Sequence, residues 1–235
     1  FCICVCANLI VRESTITRDD IEIATITTQT LGILHATNVG MHSSKGMQDI
    51  LYILAKGRQS KGYLGTSVVG TLMTNLGIEH ALNRLGLNLL RSQVGDRHVI
   101  QLMNESNSIL GGEGSGHIIC ADRTTTGDGI VSALQVLEIM VRDEASLNEL
   151  KSEIQKYPQC MINVRLKGDK KFTMTDPIQN AVQKIEKILD GTGRVLLRAS
   201  GTEPVVRVMV EGEESRLVER LAIELSETVG QLLEA

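Results

Sequence analysis

Residues 196–210 read LLRASGTEPVVRVMV. Apolar, β-branched runs flank Ser200-Gly201-Thr202-Glu203-Pro204, a pattern that predicts two strands joined by a tight turn. Arg198 stands on the first arm and Arg207 on the second. Gly201 permits a positive φ, so the backbone N–H groups of the turn are able to converge on one point. Two hydroxyls and two guanidinium forks add side-chain donors, which is the chemistry that a phosphate dianion requires. Each charge-assisted hydrogen bond contributes roughly 1.5–3 kcal/mol, so several together give useful affinity. The same spacing also describes a plain turn with solvated arginines.

The pattern around this turn is that of a small α+β domain over residues 158–235, an antiparallel sheet with helices on one face. MINVRL (161–166), RVLLR (194–198) and VVRVMVE (205–211) read as strands. DPIQNAVQKIEKIL (176–189) reads as a helix, with Asp176 as N-cap, Pro177 at its first position and Gly191 as its stop. A last helix begins at Ser215, and Leu217, Leu221, Leu225 and Val229 form its apolar stripe.

Upstream the style changes. DEASLNELKSEIQKYPQC (143–160) reads as a charged connector with one helical run, ending at Pro158. Over residues 46–145 helices alternate with strands: MQDILYILAKG (47–57), SVVGTLM (67–73), LGIEHALNRL (76–85), LNLLRS (87–92), DRHVIQLMNE (96–105), HIICA (117–121) and DGIVSALQVLEIMVRD (128–143). This alternation predicts an α/β/α domain around a mixed, largely parallel sheet. Thr74 or Asn75 caps the second helix, Gly86 ends it, and Asp128 caps the last. Residues 1–45 contain strand-like runs at 7–13 and 21–27 but stay unassigned to any fold.

Composition narrows the function. The 235 residues carry a formal charge of −4 and only 2% aromatics, without Trp. That balance argues against a nucleic-acid partner. No apolar run reaches the ~18–20 residues of a membrane span, and no signal sequence is visible. Five cysteines without a disulfide-framework spacing point to a reducing, cytoplasmic setting. Cys2, Cys4 and Cys6 share one strand face, as small apolar residues rather than as a metal site. A chain that begins at Phe1 reads as a fragment or a processed product.

Three further loops carry possible chemistry. LGGEGSGHIIC (110–120) presents Glu113, Ser115 and His117 on a glycine-rich loop before a strand. A carboxylate beside a hydroxyl suits paired sugar hydroxyls, and His117 is a candidate acid or base. A flexible connector has the same composition. In ADRTTTGDG (121–129) turn and capping chemistry competes with anion binding at a helix N-terminus. In VGDRH (94–98) either Arg97 reaches a ligand or Asp96 caps a helix.

Taken in order, VGTLMTNLG (69–77), VGDR (94–97), GGEGSGH (111–117), TTTGDGI (124–130) and LLRASGTEPVVRVMVEGE (196–213) closely resemble the C-terminal half of the bacterial phosphoglucosamine mutase family, within the α-D-phosphohexomutase superfamily. The match runs from about residue 46 to the end of the sequence. The resemblance implies that residues 46–145 are a sugar-binding domain and 158–235 a phosphate-binding domain, the third and fourth of four. It implies that Glu113 and Ser115 bind sugar hydroxyls, with His117 beside the reacting groups and Arg97 as a possible substrate contact. It also implies that Arg198, Ser200, Gly201, Thr202 and Arg207 clamp the phosphate that is not reacting. Family catalysis uses a phosphoserine in the first domain and Mg²⁺ on an Asp-Gly-Asp-Gly-Asp loop in the second. No D-x-D-x-D occurs in this sequence, and QTLGI (29–33), near the expected register, has no carboxylate. The implied protein therefore binds glucosamine phosphate, holds no cofactor by itself, and is inactive without a complementing N-terminal half. Self-association is the other partner expected. A non-catalytic phosphosugar-binding module is the alternative, as is a phosphomannomutase or phosphoglucomutase relative.

Overall fold

The computed structural model describes residues 43–62, 65–166, 172–201 and 203–234. The expected strands at 7–13 and 21–27, the Cys2–Cys4–Cys6 row and Thr202 lie outside the described residues. The chain divides into two compact units. One runs to Thr74 and then over Ile78–Gln155; the other takes Asn75–Gly77 and the chain from Lys156 onward.

The first unit follows the order α1 (Ser43–Gln59), β1 (Ser67–Thr71), α2 (Leu76–Arg84), β2 (Asn88–Ser92), α3 (Asp96–Ser106), β3 (Leu110–Gly112), β4 (Ile118–Cys120), α4 (Gly129–Asp143) and α5 (Leu147–Leu150). Its sheet has the order β2-β1-β3-β4. Strand β1 pairs parallel with β2 and β3, and β3 pairs antiparallel with β4. The period of two sorts side chains to the two faces. Val68, Leu110, Ile118 and Cys120 join Leu54, Leu82 and Val136 in one core, while Val69 and Ile119 join Val99 and Met103 of α3 in the other. Helices thus cover both faces, as the alternation predicts.

Two local differences from the sequence reading matter for the loops. Strand β1 stops at Thr71, because Thr74 turns back, donating its N–H to Thr71 O at 2.9 Å and accepting from Thr71 N at 2.9 Å. Leu110–Gly112, expected as loop, is a strand, and the antiparallel hairpin it forms with β4 makes the sheet mixed. Glycine is required at 111, where a Cβ would lie 2.6 Å from Met103 Sδ and 3.0 Å from Val99 Cγ1. Between the two candidates for the α2 cap, Asn75 takes the role, its Oδ1 accepting from Gly77 N at 2.9 Å. Asp128 caps α4 as expected, accepting from the N–H groups of Ile130 and Val131.

The second unit contains β5 (Gln159–Arg165), α6 (Asp176–Leu189), β6 (Gly193–Ala199), β7 (Val205–Gly212) and α7 (Ser215–Glu234). Its sheet is antiparallel with β7 in the centre. One face carries Ile162, Val208 and Val210, packed under Ile178, Ile185 and Leu189 of α6 and Leu221, Leu225 and Val229 of α7. The other face carries three rows of directly opposed residues: Gln159–Glu211–Arg194, Met161–Met209–Leu196 and Asn163–Arg207–Arg198. The N-cap of α6 is Thr175 rather than Asp176, which already lies inside the first turn beside Pro177. There its carboxylate suits the positive end of the helix dipole.

Leu221→Ala removes a side chain that is 1% exposed in the α7 core, and should cost about 2–5 kcal/mol in urea denaturation of the chain. Val141→Ala, at a position 75% exposed, should change stability by less than about 0.5 kcal/mol.

Candidate functional site

In the first unit the candidate side chains Glu113, Ser115 and His117 gather at the β3–β4 hairpin. Backbone bonds from Glu113 N to His117 O (3.1 Å) and from Gly116 N to Glu113 O (3.3 Å) close its turn. The Glu113 side chain is only 9% exposed, and His117 stands over it at 54%. Glu113 Oε1 accepts from Ser115 Oγ, and it lies 3.1 Å from His117 Nδ1. Glu113 Oε2 accepts from Gly95 N at 3.1 Å. Gly95 has φ 122°, a conformation that side-chain-bearing residues avoid, and this aims its N–H at the carboxylate. Glu113 therefore ties the VGDR turn to the hairpin and orients both partners expected of it.

The TTTGDG segment closes on the same place. A Cβ on Gly127 would stand 3.3 Å from His117 Cβ, so this loop packs against the imidazole-bearing residue. Its own shape comes from Thr124, which accepts from Thr126 N, and from the Asp128 cap. The strand end beneath it is pinned by buried Arg58, whose Nη1 donates to Asp122 Oδ1 at 2.7 Å and whose Nη2 donates to Gln135 Oε1 at 2.5 Å. Burial pushes the nearby Cys120 thiol up from its ordinary range, so it serves as an apolar residue. Arg97 is exposed, and among the described residues its guanidinium makes no ion pair or hydrogen bond. Asp96 does not cap α3: the N-cap is Gly95, and Asp96 Oδ1 accepts from Arg97 N at 2.6 Å.

In the second unit the quoted turn joins β6 to β7. Ser200 N donates to Val205 O at 2.9 Å, Val205 N to Glu203 O at 2.8 Å and Glu203 N to Ser200 Oγ at 3.3 Å. Gly201 does not take the positive φ expected of it, and a Cβ there would meet nothing within 4 Å. Neither the backbone nor the packing asks for glycine at this position. Arg198 and Arg207 are directly opposed in the register. Their Nε atoms are both buried and find no hydrogen-bond partner among the described residues. Burial, and then the charge of Arg207, hold the Arg198 guanidinium below its ordinary pKa. Arg207 Nη2 lies 3.5 Å from Glu203 Oε2, whose side chain is 58% exposed, too long and too wet a contact to neutralise the pair. Two like charges with buried donors that are unsatisfied among the described residues suit an anion.

Family models place these two units. The alpha/beta/alpha domain III of phosphoglucomutase/phosphomannomutase matches residues 47–157, and the C-terminal domain of the same family matches residues 161–228. The chain belongs to the phosphoglucomutase/phosphomannomutase family. Phosphoglucosamine mutases of Nitrosococcus oceani and Methylococcus capsulatus are 58% and 52% identical to it, over 77% and 80% of this chain. The chain spans 40% and 42% of the length of those two relatives. Among solved structures, the Aspergillus fumigatus N-acetylphosphoglucosamine mutase, in complex with GlcNAc-6P and magnesium, superposes with a TM-score of 0.65 at 19% identity, covering 78% of this chain and 46% of that one. An N-acetylglucosamine-phosphate mutase in its substrate complex gives 0.63 at 22% identity, covering 77% and 43%. These likenesses show the phosphohexomutase fold. Members of the family use Mg²⁺, but among the described residues no three His, Cys, Asp or Glu side chains converge as ligands. The donors at the described loops do not fit a metal centre. Among the described residues no helix is long and apolar enough to cross a membrane.

The sequence reading missed Gly95 and Gly127. Gly95 was visible within VGDR, but only its φ and its bond to Glu113 reveal its part. Glu113→Ala leaves the Gly95 N–H without its carboxylate partner and frees Ser115 and His117. It should lower the stability of this family domain by about 1–3 kcal/mol in urea denaturation.

Proposed function

We propose that this chain is the sugar- and phosphate-binding half of a phosphoglucosamine mutase, the enzyme that interconverts glucosamine 6-phosphate and glucosamine 1-phosphate. The observation that carries the reading is the opposed pair Arg198 and Arg207, whose two Nε atoms are buried and find no partner among the described residues. The identity to phosphoglucosamine mutases supports the choice of sugar.

In this reading Arg198 and Arg207 neutralise the phosphate that is not being transferred. Ser200, Gly201 and Thr202 supply hydroxyl and backbone donors from the turn. Such clamping is positioning and charge neutralisation, which is most of what phosphoryl transfer asks of a protein. On the other unit Glu113 and Ser115 bind sugar hydroxyls, and His117 stands beside the reacting groups. Glu113 Oε1 already serves two partners while Oε2 serves one, leaving a lone pair of Oε2 for a sugar hydroxyl. With Nδ1 of His117 on the carboxylate, Nε2 is the atom that faces outward for proton exchange. Arg97, exposed and without an ion pair among the described residues, is the further substrate contact. The phosphoserine and the Mg²⁺ loop belong to the part of the relatives' length that this sequence does not span, and turnover needs that part as well.

Calorimetric titration with glucosamine 6-phosphate tests the reading. The expected result is binding well above that of inorganic phosphate, weakened more than tenfold by Arg198→Ala. No binding up to millimolar ligand would sink it. Gly201→Ala is a sharper check, because the structure gives the methyl group open space. It should leave the melting temperature unchanged and still weaken ligand binding, since the open space is where the ligand's phosphate lies.

A further inference from the structure

The phosphate reading uses two strands of the C-terminal sheet, yet the register brings a third to the same place. Asn163 of β5 lies opposite Arg207, which lies opposite Arg198 of β6. One row further on, Arg165 of β5 lies opposite Val205, whose carbonyl accepts from Ser200 N at 2.9 Å. By the period of two, Asn163 and Arg165 share a face with Arg207. That face is the one away from α6 and α7: β5 exposes Gln159, Met161, Asn163 and Arg165, and half-buries the residues between them.

Neighbouring strands lie about 4.8 Å apart. An anion standing over β7 at Arg207 and Val205 therefore has β6 about 5 Å to one side and β5 about 5 Å to the other. Strand β6 and its turn supply Arg198 and Ser200; β5 supplies an amide and a guanidinium. Among the described residues neither the Asn163 nor the Arg165 side chain makes a hydrogen bond or an ion pair. The far end of the same face shows what a satisfied row looks like. There Arg194 of β6 donates to Glu211 of β7 at 2.6 Å, and Gln159 of β5 donates to the same carboxylate at 2.7 Å. The matching row at the turn end repeats a polar residue on each strand but has Arg207 where the carboxylate would be. Among the described residues no sheet carboxylate stands in that row, and an anionic ligand would complete it.

We propose that Asn163 and Arg165 of β5 form a third wall of the anion site, donating to the same phosphate-monoester dianion that Arg198 and Arg207 hold. This rests on the phosphate reading of the turn and extends it across the whole sheet. Three guanidiniums around one anion favour the dianion over a monoanion or a neutral sugar, and they make affinity fall steeply with salt.

The test is calorimetric titration of the full chain with inorganic phosphate and with glucosamine 6-phosphate at two salt concentrations. Arg165→Gln should weaken both ligands about tenfold and flatten the salt dependence, and Asn163→Ala should weaken both about threefold. Both side chains are exposed, so circular dichroism and melting should match the parent chain. If Arg198→Ala abolishes binding while Arg165→Gln and Asn163→Ala bind as the parent does, the third wall is refuted and the phosphate reading stands. If the parent chain binds neither ligand, both fall.

Discussion

A carboxylate with no exposed surface sits at one end of the central strand of the C-terminal sheet. Glu211 accepts from Arg194 Nε at 2.6 Å, from Gln159 Nε2 at 2.7 Å and from Leu76 N at 2.9 Å. These donors come from both flanking strands and from the 75–77 segment of the same unit. A slip of one residue in β7 would turn Glu211 into the apolar layer beneath α6 and α7, where no such donors await it. Leaving a buried charge unpaired costs several kcal/mol, and it adds to the cost of turning Val208 and Val210 out of the apolar layer. The Glu211 row thereby holds the register of all three strands, and the register is what sets Arg198 against Arg207 four residues away.

The two loops of interest use charge in opposite ways. At the β3–β4 hairpin the central charge is consumed: Glu113 is nearly buried and each of its oxygens has a partner within the fold. It holds Ser115, His117 and the Gly95 turn in one arrangement. At the β6–β7 turn the charges are left over. Arg198 and Arg207 repel each other across the sheet, and the satisfied row at the other end supplies the fold energy that tolerates this. Each loop suits a different ligand chemistry: a carboxylate–hydroxyl pair matches directional hydroxyls, and an uncompensated cationic pair matches a compact dianion.

Much of this was legible in the residues. The 3.6-residue stripe of α7, the strand–helix alternation of the first unit and the Asp128 cap follow from local patterns that packing reinforces. The loop motifs identified the family, because five short segments in order are far more specific than any one. Other features were not legible. Leu110–Gly112 resembles a loop by composition, yet β1 needs a parallel neighbour and α3 needs a surface it can approach closely, so these glycines become a strand. Thr175 displaced Asp176 as a cap because Pro177 fits either of the first helical positions. Gly201 looked like a residue chosen for its backbone, and the fold gives it an ordinary φ with empty space beside it.

The division has a physical basis. Residue order alone established an α/β unit followed by an α+β unit, the helix runs, the apolar faces and the presence of two arginines around a tight turn, since these depend on contacts a few residues apart. Which arginine faces which, which oxygens of Glu113 are already taken, and that β5 brings Asn163 and Arg165 to the same end of the sheet were decided only by tertiary structure. Those facts depend on strand register, and register is set between residues as far apart as Leu76, Gln159, Arg194 and Glu211, through a buried charge whose partners no local pattern announces.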